Sequence, residues 1–204
     1  MAGRRAGTSG VTLAMLSIVG LMAAIVACTT SGSAEPQRQA AVVDPRTAAD
    51  HPGAFPHRLN PGNDGTTYEP CTQENRAAVD TLGWDWLSRR DAATVDNQTA
   101  RGCDWLDRKH GSVWGLSQIV GNSPSLDAYR RFNHLFGWLP NEAIDGRRVG
   151  VFTMGPGTCV ARVQSGQSGV NTIVNYNRVP TRPSSEICAR AIAFTRATIA
   201  RIPE

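Results

Sequence analysis

The sequence has little net charge and almost no lysine. Its formal net charge is +4, and Arg4 and Arg5 near the N-terminus account for two of these charges. Such a small excess does not supply the basic surface that nucleic-acid binding requires, so we predict no nucleic-acid partner. Lys109 is the one lysine among 21 basic residues, and this arginine skew is typical of a high-GC coding bias.

The chain also lacks the short motifs of common enzyme families. It contains no nucleophile elbow G-x-S-x-G, no H-E-x-x-H, no P-loop and no G-x-G-x-x-G. We therefore predict no catalytic residue and no cofactor. Two histidines follow residue 66. We expect His110 to lie in a surface turn and His134 to be partly buried on a helix.

The main apolar run, Val11–Val26, is too short for a stable membrane span. Its 16 residues would cover about 24 Å as a helix, whereas the hydrocarbon core of a bilayer is about 30 Å thick. Because Arg4 and Arg5 precede this run, we predict an export signal peptide over residues 1–27.

The run ends on Ile25-Val26-Ala27-Cys28, which resembles the bacterial lipobox. We predict that Cys28 is the lipid attachment point of a lipoprotein at the extracytoplasmic face of the cell membrane. Two or three acyl chains on one cysteine hold stably to a bilayer, so the lipid suffices as the membrane anchor. An uncleaved anchor and ordinary secretion are the alternatives, and each also exports the chain.

Residues 28–66 have few large apolar side chains and no helical or strand period. Such a segment cannot bury enough surface to offset the entropy lost on ordering. We therefore predict the lipidated Cys28 and a flexible linker over residues 28–66, followed by a single globular domain over residues 67–204. Within the linker, Pro52–Gly62 alone has enough apolar character to fold on contact with a partner.

Once Cys28 is set aside, the remaining cysteines lack the close C-x-x-C pairs of a zinc site, and we predict no metal. They are Cys71, Cys103, Cys159 and Cys188. An even number in an exported protein indicates two disulfides. Three connectivities are open, and we favour Cys71 with Cys103 and Cys159 with Cys188, because each pair would link a helix to a nearby strand.

Periodicity after residue 66 predicts an α+β domain, an antiparallel sheet of about five strands with helices packed on it. Short turns such as GPG and SGQSG join successive strands, which indicates antiparallel pairing. Ser125 is the expected N-cap of the middle helix. We expect strands at 101–107, 111–121, 147–154, 158–164 and 169–177, and helices at 71–84, 123–139 and 184–202. In the second strand, Trp114, Leu116, Gln118 and Val120 should share one face.

Five tryptophans are many for a domain of this size. Most should lie in the core, because an indole contributes a large apolar area. In the stretch GWDWLS, we expect one of Trp84 and Trp86 to stay exposed. Such an indole is the best candidate in the sequence for contact with a ligand or partner.

Four stretches form a pattern together with the lipobox: EPCTQENRAAVDTLGW, GCDWLDRKHGSVWGLSQIV, GRRVGVFTMGPGTCVARVQ and SSEICARAIAFTRATIARIP. Over residues 68–203 the pattern resembles the actinobacterial lipoproteins catalogued as domain of unknown function 3558. Its most specific elements are the acidic-Pro-Cys opening at Glu69, Cys103 with Trp105, Cys159 and Cys188. The resemblance implies an envelope lipoprotein with four paired cysteines and no assigned activity.

Two functions are consistent with these observations. The first is a non-enzymatic binding or accessory module that holds an envelope ligand or protein at the outer face of the membrane. The alternative is an envelope hydrolase of unrecognised type that uses Asp or His side chains near the tryptophans. A pocket where titratable groups converge favours the hydrolase, and an open apolar groove without them favours the binding module.

Overall fold

The computed structural model describes residues 55–204, which all belong to one compact unit of the chain, Val42–Glu204. Cys28, the predicted signal peptide and most of the predicted linker lie outside the described residues. Among residues 55–204, no helix is both long enough and apolar enough to cross a membrane.

The described residues form an antiparallel sheet with three α-helices, so the predicted α+β class and strand pairing are confirmed. The sheet has eight strands, so the expected number of about five is wrong. The strands are β1 (Trp84–Asp91), β2 (Ala100–Asp107), β3 (Gly111–Asn122), β4 (Gly137–Trp138), β5 (Glu142–Ile144), β6 (Arg147–Gly155), β7 (Thr158–Ser165) and β8 (Ser168–Tyr176). The helices are α1 (Arg76–Thr81), α2 (Leu126–Phe132) and α3 (Ser184–Thr198). The sheet order is β1-β2-β3-β8-β7-β6-β4, and β5 pairs with β6.

The three unexpected strands are β1, β4 and β5, and each has a local reason for escaping the sequence pattern. The register of β1 against β2 shifts between Asp85 and Arg90. Buried and exposed side chains therefore do not alternate regularly along the whole strand. β4 has two residues and β5 has three, which is too short for any period to be visible. Only their pairing with β6 makes them strands.

The core lies between one face of the sheet and α3. On β3 the expected alternation is confirmed, because Trp114, Leu116, Gln118 and Val120 are all buried. Helix α3 packs mainly on β7 and β8, and the Phe194 ring lies 5.6 Å from that of Trp105. The apolar face that the sequence shows on α3 therefore covers the middle of the sheet.

Helix α2 begins as expected and ends early. The Ser125 hydroxyl accepts a hydrogen bond of 3.0 Å from the Ala128 amide, so the predicted N-cap is confirmed. The helix ends at Phe132, because the chain turns after Asn133 to reach β4. His134 therefore lies beyond the helix and is exposed, and the expectation that it is partly buried is wrong.

Both favoured disulfides are present, Cys71–Cys103 and Cys159–Cys188. The first joins the segment before α1 to β2, and the second joins α3 to β7. The second bridge therefore links a helix to a strand, as expected, whereas Cys71 of the first lies in a turn before the helical residues.

The folded domain begins before residue 67, so the predicted linker boundary is wrong for residues 55–66. Asn63 is fully buried, and its side-chain amide donates to the carbonyl oxygens of Arg58 and Gln98. Asn60 donates to the same Gln98 carbonyl at 2.8 Å. The segment is held by buried amide hydrogen bonds, which a search for large apolar side chains does not detect.

Candidate functional site

Both tryptophans singled out in the sequence are buried. Trp84 is 1% exposed and Trp86 is 7% exposed, because the GWDWLS stretch is extended and both rings face the core. The guanidinium of Arg89 also lies 4.1 Å from the centre of the Trp86 ring. The expectation that one of the two indoles is exposed is therefore wrong.

A cleft rich in arginine lies above Trp84, and we refer to it as the basic cleft. It has a volume of about 430 Å³ and is formed by the turn between β2 and β3, the end of β8 with the loop after it, and the first turns of α3. Its lining residues are Lys109, His110, Val113, Trp114, Tyr176, Arg178, Arg182, Glu186 and Arg190.

Arg190 forms one wall of the basic cleft, and contacts with buried residues hold its guanidinium in place. Its guanidinium lies 4.1 Å from the centre of the Trp114 ring and 5.7 Å from that of Trp84. It also donates a hydrogen bond of 3.2 Å to Asp107. The buried Trp84 therefore contributes to this site by positioning Arg190 through cation–π contact.

The other cations of the basic cleft have few anionic partners. Lys109 and Arg178 form no ion pair with any residue of the described chain, and Arg182 approaches Glu186 only at 3.9 Å. Four permanent cations thus face a single lining carboxylate, that of Glu186. Because α3 begins at Ser184, the positive end of its dipole adds to this excess.

Asp107 closes the turn that carries Lys109 and His110. Its carboxylate accepts the backbone N–H groups of both residues, at 2.9 and 2.8 Å, and the His110 ring Nδ1 lies 2.8 Å from the same oxygen. Burial raises the pKa of Asp107, but these bonds and the one from Arg190 outweigh it and hold the pKa below its usual value. His110 is exposed, as expected.

The basic cleft brings several titratable groups together. No serine, threonine or cysteine is among the residues that line it. Within residues 55–204, no group of three His, Cys, Asp or Glu side chains is placed to hold a metal ion. The excess of cations suits this lining to the attraction of negatively charged groups.

A second groove lies beside α2 on the other face of the sheet, and we refer to it as the α2 groove. Its volume is about 470 Å³. It is lined by Asn122, Ser123, Pro124, Ala128, Tyr129, Phe132 and Asn133. Phe132 is 86% exposed, so an aromatic side chain is left uncovered at its rim. Unlike the basic cleft, the α2 groove is open and largely apolar.

Sequence reasoning did not find either of these sites. The residues of the basic cleft lie within positions 109–114 and 176–190 and belong to no single motif. Only the fold brings them together. Lys109 was a weak signal, since it is the one lysine of an arginine-rich chain. The α2 groove was hidden because the helix was expected to continue over residues 123–139, whereas it ends at Phe132.

Comparison with known proteins identifies the family. A family model described as Protein of unknown function (DUF3558) matches residues 23–201, and the two disulfides occupy the cysteine positions through which the sequence resembles this family. No curated protein and no solved structure matches the chain. Since the family model spans most of the chain, this protein belongs to the DUF3558 family.

Proposed function

We propose that the protein is a lipid-anchored lipoprotein of an actinobacterium-like cell envelope that binds an anionic, phosphate-bearing envelope component in the basic cleft. One observation carries the binding role. Four cations line a cleft in which Lys109 and Arg178 lack an ion-pair partner among residues 55–204. The lipobox at Ile25–Cys28 supports the location, because it would attach the domain to the outer face of the membrane.

The geometry suits a ligand with phosphate groups. Lys109 and Arg178 are exposed and supply donors that no carboxylate of the described chain occupies, and Trp114 and Tyr176 form the wall of the cleft. A phosphate carries several acceptor oxygens and can form charge-assisted hydrogen bonds with more than one of these cations at once. The protein's role in this proposal is non-enzymatic.

Neutralising the two unpaired cations is expected to weaken binding to anionic membranes. We expect Lys109→Gln and Arg178→Gln each to reduce the affinity of the chain from residue 42 onward for phosphatidylglycerol vesicles about fivefold, since each basic residue near an anionic surface contributes about 1 kcal/mol. Vesicle co-sedimentation at low salt measures this effect. Phosphatidylcholine vesicles provide the reference for binding without anionic groups.

Arg196→Gln is the matched control for this experiment. Arg196 is exposed on α3, outside the basic cleft, and its removal changes the net charge by the same amount. Equal losses of affinity in Arg196→Gln and Arg178→Gln would mean that net charge, and no specific site, governs binding. Equal affinity for the two kinds of vesicle would contradict the proposed ligand class.

Removal of the lipid attachment point is expected to release the protein from membranes. In the full chain, Cys28→Ala leaves no thiol in the lipobox, whereas the neighbouring Thr29→Ala keeps it. We expect the first variant in the soluble fraction and the second in the membrane fraction after cell lysis. If Cys28→Ala still sediments with membranes, the uncleaved anchor is the better explanation.

The contact between Asp107 and His110 is the one observation that favours the alternative, an envelope hydrolase. A carboxylate that orients a histidine ring occurs in acid–base catalysis, although here the same carboxylate also closes a turn. Hydrolysis of fluorogenic esters or amides that His110→Gln abolishes, with vesicle binding unchanged, would support the hydrolase over the binding module.

A further inference from the structure

Arg162 on β7 is a buried cation without a counter-ion among residues 55–204. Its side chain is 1% exposed, on the sheet face that α2 partly covers. Its Nη1 donates a hydrogen bond of 2.8 Å to the Asn171 side-chain oxygen. Its Nε and Nη2 are buried and have no hydrogen-bond partner in residues 55–204. A buried charge that is incompletely bonded costs free energy, so its presence calls for an explanation.

The other deeply buried arginine, Arg101, shows what a purely structural arginine looks like in this fold. It is 3% exposed and forms an ion pair of 3.0 Å with Glu69. It also donates to the carbonyl oxygens of Thr66 and Tyr68. Arg162 has no such set of acceptors. The contacts within the domain therefore explain why Arg101 is buried, and they do not explain the burial of Arg162.

The surroundings of Arg162 keep its guanidinium in place and charged. The Tyr129 ring lies over it, with the ring centre 3.7 Å from Cζ. At Gly169, an added Cβ would lie 1.9 Å from the same Cζ, so only glycine leaves room for the guanidinium there. Burial lowers the pKa of Arg162 to about 10, which still leaves the group protonated at neutral pH.

The two unpartnered nitrogens of Arg162 form one edge of the guanidinium. Nε and Nη2 present parallel N–H groups, and this edge matches the two oxygens of a carboxylate in a bidentate pair. A phosphate would bring more charge and more oxygens than this single buried cation can satisfy. The free edge therefore selects for a planar group with one negative charge.

Tyr129 contacts the Arg162 guanidinium and also lines the α2 groove. The residue that covers Arg162 also lines the groove, next to Ala128 and Phe132. The Tyr129 hydroxyl makes no hydrogen bond with a described residue, so the ring is held by packing against Phe152 and Trp138 and by its contact with Arg162. A ligand in the groove thus lies one side chain away from an unsatisfied cation.

We propose that the α2 groove binds an amphiphile with a single carboxylate, whose apolar chain lies against Phe132 and whose carboxylate pairs with the Nε and Nη2 edge of Arg162 once the Tyr129 ring turns aside. The groove volume of about 470 Å³ is within the range of ligand pockets and accommodates a medium-length alkyl chain. This site is separate from the basic cleft, so neither proposal depends on the other.

Calorimetric titration of the compact unit, residues 42–204, with dodecanoate below its micelle concentration tests the proposal. We expect saturable binding, and we expect Arg162→Met to reduce the affinity about tenfold or more, because it removes a charge-assisted bidentate pair. Arg196→Met, which removes an exposed arginine outside the groove, should leave the affinity unchanged. Dodecanol, without the anionic group, should bind the unchanged protein and Arg162→Met equally.

Thermal unfolding of the same variants separates recognition from structural support. Because methionine fills a similar space without a buried charge, Arg162→Met should unfold at the same temperature as the unchanged protein or a higher one. Unchanged dodecanoate affinity in this variant would overturn the proposal, as would the absence of saturable binding to the unchanged protein. Tighter binding of dodecyl phosphate than of dodecanoate would overturn the carboxylate assignment.

Discussion

Replacement of Gly102 by alanine is expected to reduce the free energy of unfolding by about 3 kcal/mol. A Cβ at this position would lie 2.1 Å from the backbone oxygen of Gln118 and 2.7 Å from the Cα of Ile119. Both atoms belong to the backbone of β3, which pairs with β2 along its whole length. The clash can be relieved only if these two strands move apart beside the Cys71–Cys103 disulfide.

Gly115→Ala is the control for this substitution, because Gly115 lies on the same strand pair and has no atom within 4 Å of its added Cβ. We expect the free energy of unfolding of this variant to change by less than about 0.5 kcal/mol. Denaturant unfolding under oxidising conditions measures both variants. Similar stabilities for Gly102→Ala and Gly115→Ala would show that the strands accommodate the extra methyl group.

Replacement of Glu69 by glutamine is expected to reduce the free energy of unfolding by about 3 kcal/mol at neutral pH. The carboxylate accepts two hydrogen bonds from Arg58, of 2.6 and 3.0 Å, and one of 3.0 Å from Arg101. It also accepts the backbone N–H of Cys71 at 3.1 Å. The neutral amide would leave the buried Arg101 without its counter-ion.

The effect of Glu69→Gln should depend on pH. Burial raises the pKa of Glu69, but the hydrogen bonds and charges of Arg58 and Arg101 outweigh it and hold the pKa below its usual value. The stabilisation is therefore complete above the usual glutamate pKa and is lost as the pH falls through the lowered pKa of the folded state. The variant should lose less stability than the unchanged protein between pH 7 and pH 3.

Glu74→Gln provides the control, because Glu74 is exposed five residues further along and has no ion pair among the described residues. Denaturant unfolding at a series of pH values gives the acid dependence of all three proteins. Parallel curves for the unchanged protein and Glu69→Gln would show that this carboxylate does not contribute to acid unfolding.

The same contacts give a physical reason for the acidic-Pro-Cys opening of the domain. The Glu69 carboxylate forms ion pairs with Arg58, from the segment before it, and with Arg101 of β2. Arg58 also forms an ion pair with Asp91 at the end of β1. The carboxylate thus ties residues 55–66 to the first two strands beside the Cys71–Cys103 disulfide. Such a cluster could not be recognised in the sequence, since its members are separated by up to 43 positions and share no motif.

The features that could be predicted depend on short-range physics. Alternation along β3 placed Trp114 to Val120 correctly, the cap at Ser125 marked the start of α2, and the expected links between helices and nearby strands favoured the observed disulfides. These signals lie within a few residues of one another or follow from covalent geometry. The lipobox at Cys28 is a signal of the same local kind, and its modification stays a prediction.

Tertiary structure decided the features on which the two proposed binding sites depend. It buried Trp84 and Trp86, assembled the basic cleft from three separate segments, and placed the uncompensated Arg162 beneath Tyr129. A local pattern reports which residues prefer a helix, a strand or an interior. It does not report which charges meet, because whether Lys109 or Arg162 finds an ionic partner depends on distances that only the packed chain defines.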